Sequence, residues 1–268
     1  LVVNEPPPYR IPVFNRIAAM PDIEFQVIFC CRREPNRQWD LPAMAFSHVF
    51  LHERITTTRD GRYIHNNPDV MLALSRFTPD VVVGNGFNPT HLYAMAWCAL
   101  RRRPYVPMTD GTRQSEAKLS RLHQTLRRLV YRRAPAFIAA SRGGIALYRD
   151  YAVAPERCHL SCLCIDNDRY RPPASPPAPA NDFIFCARLE AGKNPAFAIH
   201  VAARCAQRLG RRTRLLIAGS GSMEASLRNL ANTLAGHVET HFHGFATQAE
   251  LPALYRSSRI FLFPTLAD

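Results

Sequence analysis

The sequence predicts an α/β fold of two domains, each built on a parallel sheet. Three observations carry that prediction. Short apolar runs recur along the chain, each closed by a polar or glycine-bearing turn and followed by a stretch of helical periodicity. No apolar run approaches the roughly 18 residues of a membrane-spanning helix. Residues 171–182 are dense in proline and alanine without apolar periodicity, which reads as a semi-rigid linker. The expected boundaries are therefore 1–170 for an N-terminal domain, 171–182 for the linker and 183–268 for a second domain.

The first strand is Val2-Val3, read as the remainder of a strand whose opening residues are missing. It runs into Asn4-Glu5-Pro6-Pro7-Pro8-Tyr9-Arg10, a loop stiffened by proline, and then a helix over 13–20. Glu24 to Cys30 alternates and reads as the second strand. Residues 32–69 are polar and interrupted by proline, with a strand at His48 to Leu51; Trp39 and Tyr63 are expected to cover apolar surface. Pro79 to Gly84 is a buried strand followed by Asn85-Gly86 and a helix from Pro89 to Arg101. Pro104 to Met108 is another strand, closing on Thr109-Asp110-Gly111-Thr112.

Ser115 to Arg133 predicts one helix with an apolar stripe of Leu119, Leu122, Leu126, Leu129 and Val130. Arg121, Arg127, Arg128, Arg132 and Arg133 flank it. Such a helix either faces a core with a solvated arginine face or lies on an anionic membrane. Ala136 to Ala140 is a strand ending at Ser141-Arg142-Gly143-Gly144 before a helix to Tyr151, and Arg157 to Leu163 is the last strand of this half. Its cysteines, Cys158, Cys162 and Cys164, are expected to be small buried thiols of an alternating strand. A zinc site would need a second pair at a suitable spacing, which the sequence lacks.

The second domain repeats one unit. Phe183 to Ala187 is an apolar strand that runs into Arg188, a turn through Gly192 to Lys193, and a helix over 196–209. Arg188 and Lys193 thereby fall at the carboxyl end of a strand beside a helix N-terminus, where open α/β sheets bind ligands and anions are favoured. Arg214 to Ala218 then ends in Gly219-Ser220-Gly221-Ser222, before a helix over 224–234. Val238 to Phe242 ends in His243-Gly244-Phe245, followed by a helix opened by Thr247 and Glu250 in a capping-box pattern. A last strand, Arg259 to Phe263, stops at Pro264-Thr265.

The net charge of +13 is almost entirely arginine, since Lys118 and Lys193 are the lysines. It fits biased arginine usage on a solvated surface, attraction to anionic lipid, or a polyphosphate-bearing substrate. Nucleic acid is not expected as a partner, because no aromatic-plus-basic module or zinc finger is present.

The ordered series Ala187-Arg188-Leu189…Lys193-Asn194, Ala218-Gly219-Ser220-Gly221, Phe242-His243-Gly244-Phe245, Glu250-Leu251 and Phe263-Pro264-Thr265 closely resembles the nucleotide-sugar half of the family-4 retaining glycosyltransferases. Ile165-Asp166-Asn167-Asp168-Arg169-Tyr170 is similar to the short motif at that family's domain junction. The resemblance implies a GT-B-like fold of two Rossmann-like domains with parallel sheets, the second incomplete. It implies a sugar transferred from a nucleoside diphosphate sugar to a polysaccharide or lipid-linked acceptor, with retention. Cofactor and bound metal are then unnecessary, the nucleotide sugar being a co-substrate.

By the same resemblance Arg188 and Lys193 neutralise the leaving diphosphate, and Asp110 approaches the donor sugar. Gly219, Gly221, Gly244, Phe245 and Glu250 bind the donor, and Glu5, Tyr9, Arg10 and Ser141 form the cleft loop or touch the acceptor. The residue-level alternatives stay open: an Asx-turn for Asp110, and a rigid loop with a surface charge for Arg10. The family continues into a Glu-X7-Glu motif that this sequence does not reach, so the expectation is a truncated chain with weak activity. The alternative is a non-catalytic, nucleotide-sugar-binding or membrane-associated fragment. The expected location is the cytoplasm or, peripherally, the inner face of the plasma membrane. A dinucleotide-dependent oxidoreductase is disfavoured, since no Gly-X-Gly-X-X-Gly turn follows the first strand.

Overall fold

The computed structural model describes residues 1–37, 40–58, 62–117, 119–175 and 178–266. Trp39, Lys118 and part of the proline-rich stretch lie outside the described residues. The chain divides into two compact units, Leu1–Asp166 and Asn167–Asp268, with the proline-rich stretch counted in the second.

The first unit contains β1 (Val2–Val3), α1 (Ile11–Ala18), β2 (Gln26–Phe29), β3 (Ser47–Phe50), a hairpin of β4 (Ile55–Thr57) and β5 (Tyr63–His65), α2 (Val70–Phe77), β6 (Val82–Gly84) and α3 (Pro89–Arg101). It continues with β7 (Tyr105–Thr109), α4 (Arg113–Glu116), α5 (Arg121–Arg133), β8 (Phe137–Ala139), α6 (Arg142–Asp150) and β9 (Cys158–Leu160). Its main sheet is parallel, in the order β3-β2-β1-β6-β7-β8-β9. From β1 the chain builds outward through β2 and β3, then returns to place β6 on the other side. The topological switch point therefore lies at the carboxyl ends of β1 and β6, where ligands of open α/β sheets bind.

Apolar side chains cover both faces of this sheet. Phe14, Phe29 and Phe46 pack with Val3 and Ile11, while Val82, Trp97, Tyr131, Phe137 and Tyr148 belong to the other cluster. Tyr148 is fully buried, and its hydroxyl donates to the carbonyls of Pro107 and Ile138, tying α6 to β7 and β8.

The second unit contains β10 (Asn181–Cys186), α7 (Pro195–Leu209), β11 (Thr213–Ala218), α8 (Glu224–Thr233), β12 (Val238–Gly244), α9 (Leu251–Arg256) and β13 (Ser258–Phe261). These strands are also parallel, in the order β12-β11-β10-β13. The switch point is again beside the first strand, between β10 and β13. The core forms where α7 lays Ala198, Ile199 and Ala202 on Phe183, Phe185, Leu215 and Ile217. Small residues on that helix face let it sit close to the sheet, and Gly210 ends it in the left-handed conformation.

Four expectations are corrected. The helix expected over 115–133 is two helices: Thr112 and Ser115 form a capping box for α4, and Ser120 caps a new start at α5. The covered face of α5 is also rotated from the expected stripe, of which Val130 is buried and Leu126 half-buried. Leu122 is 67% and Leu129 44% exposed, whereas Arg127, Val130 and Tyr131 are buried. Arg127 takes the inward position because Glu116 accepts its hydrogen bond at 2.8 Å and its guanidinium lies over the Phe87 ring.

Cys162 and Cys164 are exposed instead of buried. The strand ends at Leu160, on the edge of the sheet, and the thiols lie beyond it. Within residues 32–69, the β4–β5 hairpin was not anticipated, nor was α2 after it. Tyr63 is half-buried in that hairpin.

Candidate functional site

Two sets of loops gather at the two switch points, one in each unit. In the first unit the loop after β1 folds back through a turn in which Arg10 N–H donates to the Pro7 carbonyl, and Arg10 opens α1. Its side chain is buried under the sheet's carboxyl edge. There the guanidinium reaches Asp110, with Nη2 2.5 Å from Oδ1, and Met108 Sδ at 3.5 Å. Asp110 follows β7 directly. Its second oxygen accepts a long hydrogen bond, 3.5 Å, from Asn85 at the end of β6. Thr109 Oγ1, not the Asp110 carboxylate, accepts the Gly111 N–H, so the loop is held by the threonine and Asp110 is turned toward Arg10. Ser141 begins the neighbouring loop, and its hydroxyl accepts from Gly144 N–H as the cap of α6. Gly144 packs against Ala139 and the Gly111 carbonyl, so the Asp110 and Ser141 loops lie side by side.

Glu5 does not join this group. It is buried with its carboxylate accepting from Glu34 N–H at 2.8 Å and Arg37 Nε at 3.0 Å. Burial, ahead of the other influences, raises its pKa above the ordinary carboxylate value. Glu34 in turn meets the fully buried His65 ring at 2.9 Å. The pair supports the loop from behind. Tyr9, by contrast, is 36% exposed at the loop's crest.

In the second unit the loop after β10 carries both predicted cations. Arg188 is exposed, and among the described residues its guanidinium has no hydrogen-bond or ion-pair partner. Ala191–Lys193 forms one 3-10 turn, which Asn194 closes in a left-handed conformation before Pro195 starts α7. The Lys193 ammonium lies 5.6 Å from the centre of the Phe263 ring. The segment after β13 closes over this loop, with Leu266 N–H and Thr265 Oγ1 both donating to the Gly192 carbonyl.

The glycine turn after β11 lies against the same loop. Leu189 N–H donates to the Ser220 carbonyl at 2.9 Å, and Met223 N–H donates to the Leu189 carbonyl at 3.0 Å. A Cβ on Gly219 would fall onto the Ala187 carbonyl, and one on Gly221 would lie 2.6 Å from the Leu189 carbonyl oxygen. Glycine is required here because backbone meets backbone. Gly219 N–H also donates to the Gly244 carbonyl at 2.7 Å, which ties in the loop after β12; the adjacent Phe245 is exposed. Glu250 accepts from Thr247 N–H and Oγ1, the capping pattern expected, although α9 itself begins at Leu251. Those bonds, led by the Thr247 N–H, lower its pKa.

Sequence reasoning had not marked Asn85, Glu190 or Ser222 as site residues. Asn85 was legible in part, being a polar residue before a glycine at a strand end, like Asp110. Among the described residues no group of three His, Cys, Asp or Glu side chains could hold a metal ion.

The sequence model of Glycosyltransferase Family 4 matches residues 13–169, and that of Glycosyl transferases group 1 matches residues 166–267. No curated protein matches the chain. Among solved structures, HepE of Anabaena in complex with UDP and glucose is similar at 14% identity and a TM-score of 0.68, over 99% of this chain and 73% of that one. A glycosyltransferase from Rickettsia africae is similar at 11% identity and a TM-score of 0.59, over 90% of this chain and 64% of that one. The lipopolysaccharide outer core galactosyltransferase WaaB, in its apo form, gives 14% identity and a TM-score of 0.58, over 98% and 73%.

Proposed function

The chain belongs to Glycosyltransferase Family 4, and from that membership we propose that it transfers a hexose from a nucleoside diphosphate sugar to a polysaccharide or lipid-linked acceptor. In this reading the anomeric configuration is retained and no bound metal takes part. One observation carries it. Arg188 and Lys193 share one short loop at the switch point of the second unit, and backbone bonds clamp that loop to the glycine turn. Breaking the anomeric C–O bond leaves its electron pair on the diphosphate. A guanidinium can fork onto two phosphate oxygens and an ammonium adds a compact charge, so the pair can neutralise the leaving group where a metal otherwise would. The similarity to HepE, solved with UDP and glucose, supports a nucleoside diphosphate donor.

In the first unit, Asp110, held by Arg10, would accept a hydrogen bond from a hydroxyl of the donor sugar. An anionic membrane surface as a further partner is supported by α5, where exposed Leu122 and Leu129 are bracketed by exposed Arg121, Arg128, Arg132 and Arg133. No helix among the described residues is long and apolar enough to cross a membrane.

The direct test is thermal stabilisation by UDP, GDP and ADP, on this chain and on Arg188→Ala/Lys193→Ala. A nucleotide at a hundred times its Kd adds about 2.7 kcal/mol. The expected result is that one nucleotide stabilises the parent and not the double variant. Equal stabilisation of both proteins would sink the assignment of the two cations.

A further inference from the structure

Between Arg188 and Lys193 stands a side chain of opposite sign, Glu190. A carboxylate beside a phosphate site is unfavourable by simple Coulomb repulsion, so its geometry calls for an account. Glu190 Oε2 accepts from Ser222 Oγ at 2.8 Å, and Oε1 accepts from Ser222 N–H at 3.2 Å. Its backbone links the two cations as well: Glu190 N–H donates to the Arg188 carbonyl and Lys193 N–H donates to the Glu190 carbonyl, each at 2.9 Å. The carboxylate is thus docked on the glycine turn, across 32 residues of sequence.

We propose that Glu190 is a positioning residue for the diphosphate: by docking on Ser222 it fixes the arc of loop from Arg188 to Lys193. The inference rests on the donor reading above. The backbone bonds at Leu189 anchor the Arg188 side of the arc, and the Gly192 carbonyl, which accepts from Leu266 N–H and Thr265 Oγ1, anchors its far end. From Glu190 to Lys193 the loop is a single 3-10 turn, whose own hydrogen bonds do not set its direction. Glu190 ties the start of that turn to the approach to α8 and so, together with the Gly192 bonds at its end, aims Lys193. Two hydrogen bonds to an ionised carboxylate are strong enough to hold a loop of this length.

The sign of the effect separates this role from the alternatives. A carboxylate that merely stands nearby repels the diphosphate, so removing it would tighten nucleotide binding. A positioning carboxylate does the opposite. The experiment is equilibrium titration of the full chain with UDP, GDP and ADP in turn, and with the nucleoside of whichever binds. The proteins are the parent, Glu190→Ala, Ser222→Ala, the double variant, Glu190→Gln and Arg188→Ala.

The expected result is about tenfold weaker diphosphate binding for Glu190→Ala and for Ser222→Ala. The double variant should be no weaker than either single one, and nucleoside affinity should be unchanged. Glu190→Gln, which keeps an acceptor oxygen but loses the charge, should fall between parent and Glu190→Ala. Tighter or unchanged binding by Glu190→Ala would overturn the proposal, as would multiplying single effects or equal losses for nucleotide and nucleoside. Failure of the donor reading looks different: the parent would bind none of the three diphosphates, or Arg188→Ala would bind as the parent does.

Discussion

Arg10 and Asp110, a hundred residues apart in sequence, meet through Nη2 and Oδ1 at the carboxyl edge of the first sheet. The Arg10 side chain is 7% exposed and that of Asp110 36%. The arginine is therefore a largely buried charge whose partner lies at the surface. The pair spans β1 and β7, with Asn85 of the intervening β6 at the second carboxylate oxygen.

Removing one member leaves the other without its partner. Arg10→Ala and Asp110→Ala are each expected to cost about 2 kcal/mol of stability, less than a fully buried pair because Asp110 reaches solvent. Chemical denaturation of both single variants and the double one measures the coupling. It should exceed about 1 kcal/mol, and additivity within about 0.3 kcal/mol would refute a functional ion pair here.

A glycine beside the cation loop and one within it predict opposite results. Gly219→Ala would drive a Cβ into the Ala187 carbonyl at a φ of +145°, and is expected to cost about 3 kcal/mol or more and to loosen nucleotide binding. Gly192→Ala has open space around its new methyl and should change stability by no more than about 0.5 kcal/mol. Thermal melts of the two variants, side by side, decide whether close backbone approach is what demands glycine.

His91 lies under Gly86 and is fully buried, and burial lowers its pKa from 6.5 to about 4, with a smaller contribution from His65. The unfolded chain takes up a proton on this residue near pH 6.5 while the folded one does not. Stability from this group is therefore fully present above pH 6.5 and is lost as pH falls toward 4, by about 3 kcal/mol. His91→Leu should flatten that part of the pH dependence of the urea midpoint. An unchanged slope would show that another group carries it.

The exposed leucines of α5 predict binding to vesicles containing anionic phospholipid. Co-sedimentation should fall with Leu122→Asp/Leu129→Asp and with Arg128→Glu/Arg132→Glu, and added salt should weaken it. Sedimentation equal for anionic and zwitterionic vesicles would remove the charge argument. Equal sedimentation of the variants and the parent would remove α5 from it.

Legibility in the sequence followed the range of the interactions. The strand at Phe183, the helix after Pro195 and the Thr247–Glu250 cap depend on neighbours within a few positions, and their residue types announced them. The placement of Arg188 and Lys193 at one strand end was equally local. The α5 stripe misled because periodicity marks an apolar face without saying which face the fold covers. The covered face keeps Val130 but turns toward Arg127, which pairs with Glu116, and leaves Leu122 and Leu129 exposed.

By itself the sequence determined the alternation of strand and helix, the parallel sheets and the loops that hold the charged residues. Those properties arise from local propensity and hydrophobic period. Only the tertiary structure decided that Arg10 faces Asp110 while Glu5 turns to Glu34 and Arg37, and that Glu190 docks on Ser222. Such pairings depend on which strands become neighbours and in what register. That is settled by the cooperative burial of the whole core, for which no short stretch of sequence carries the information.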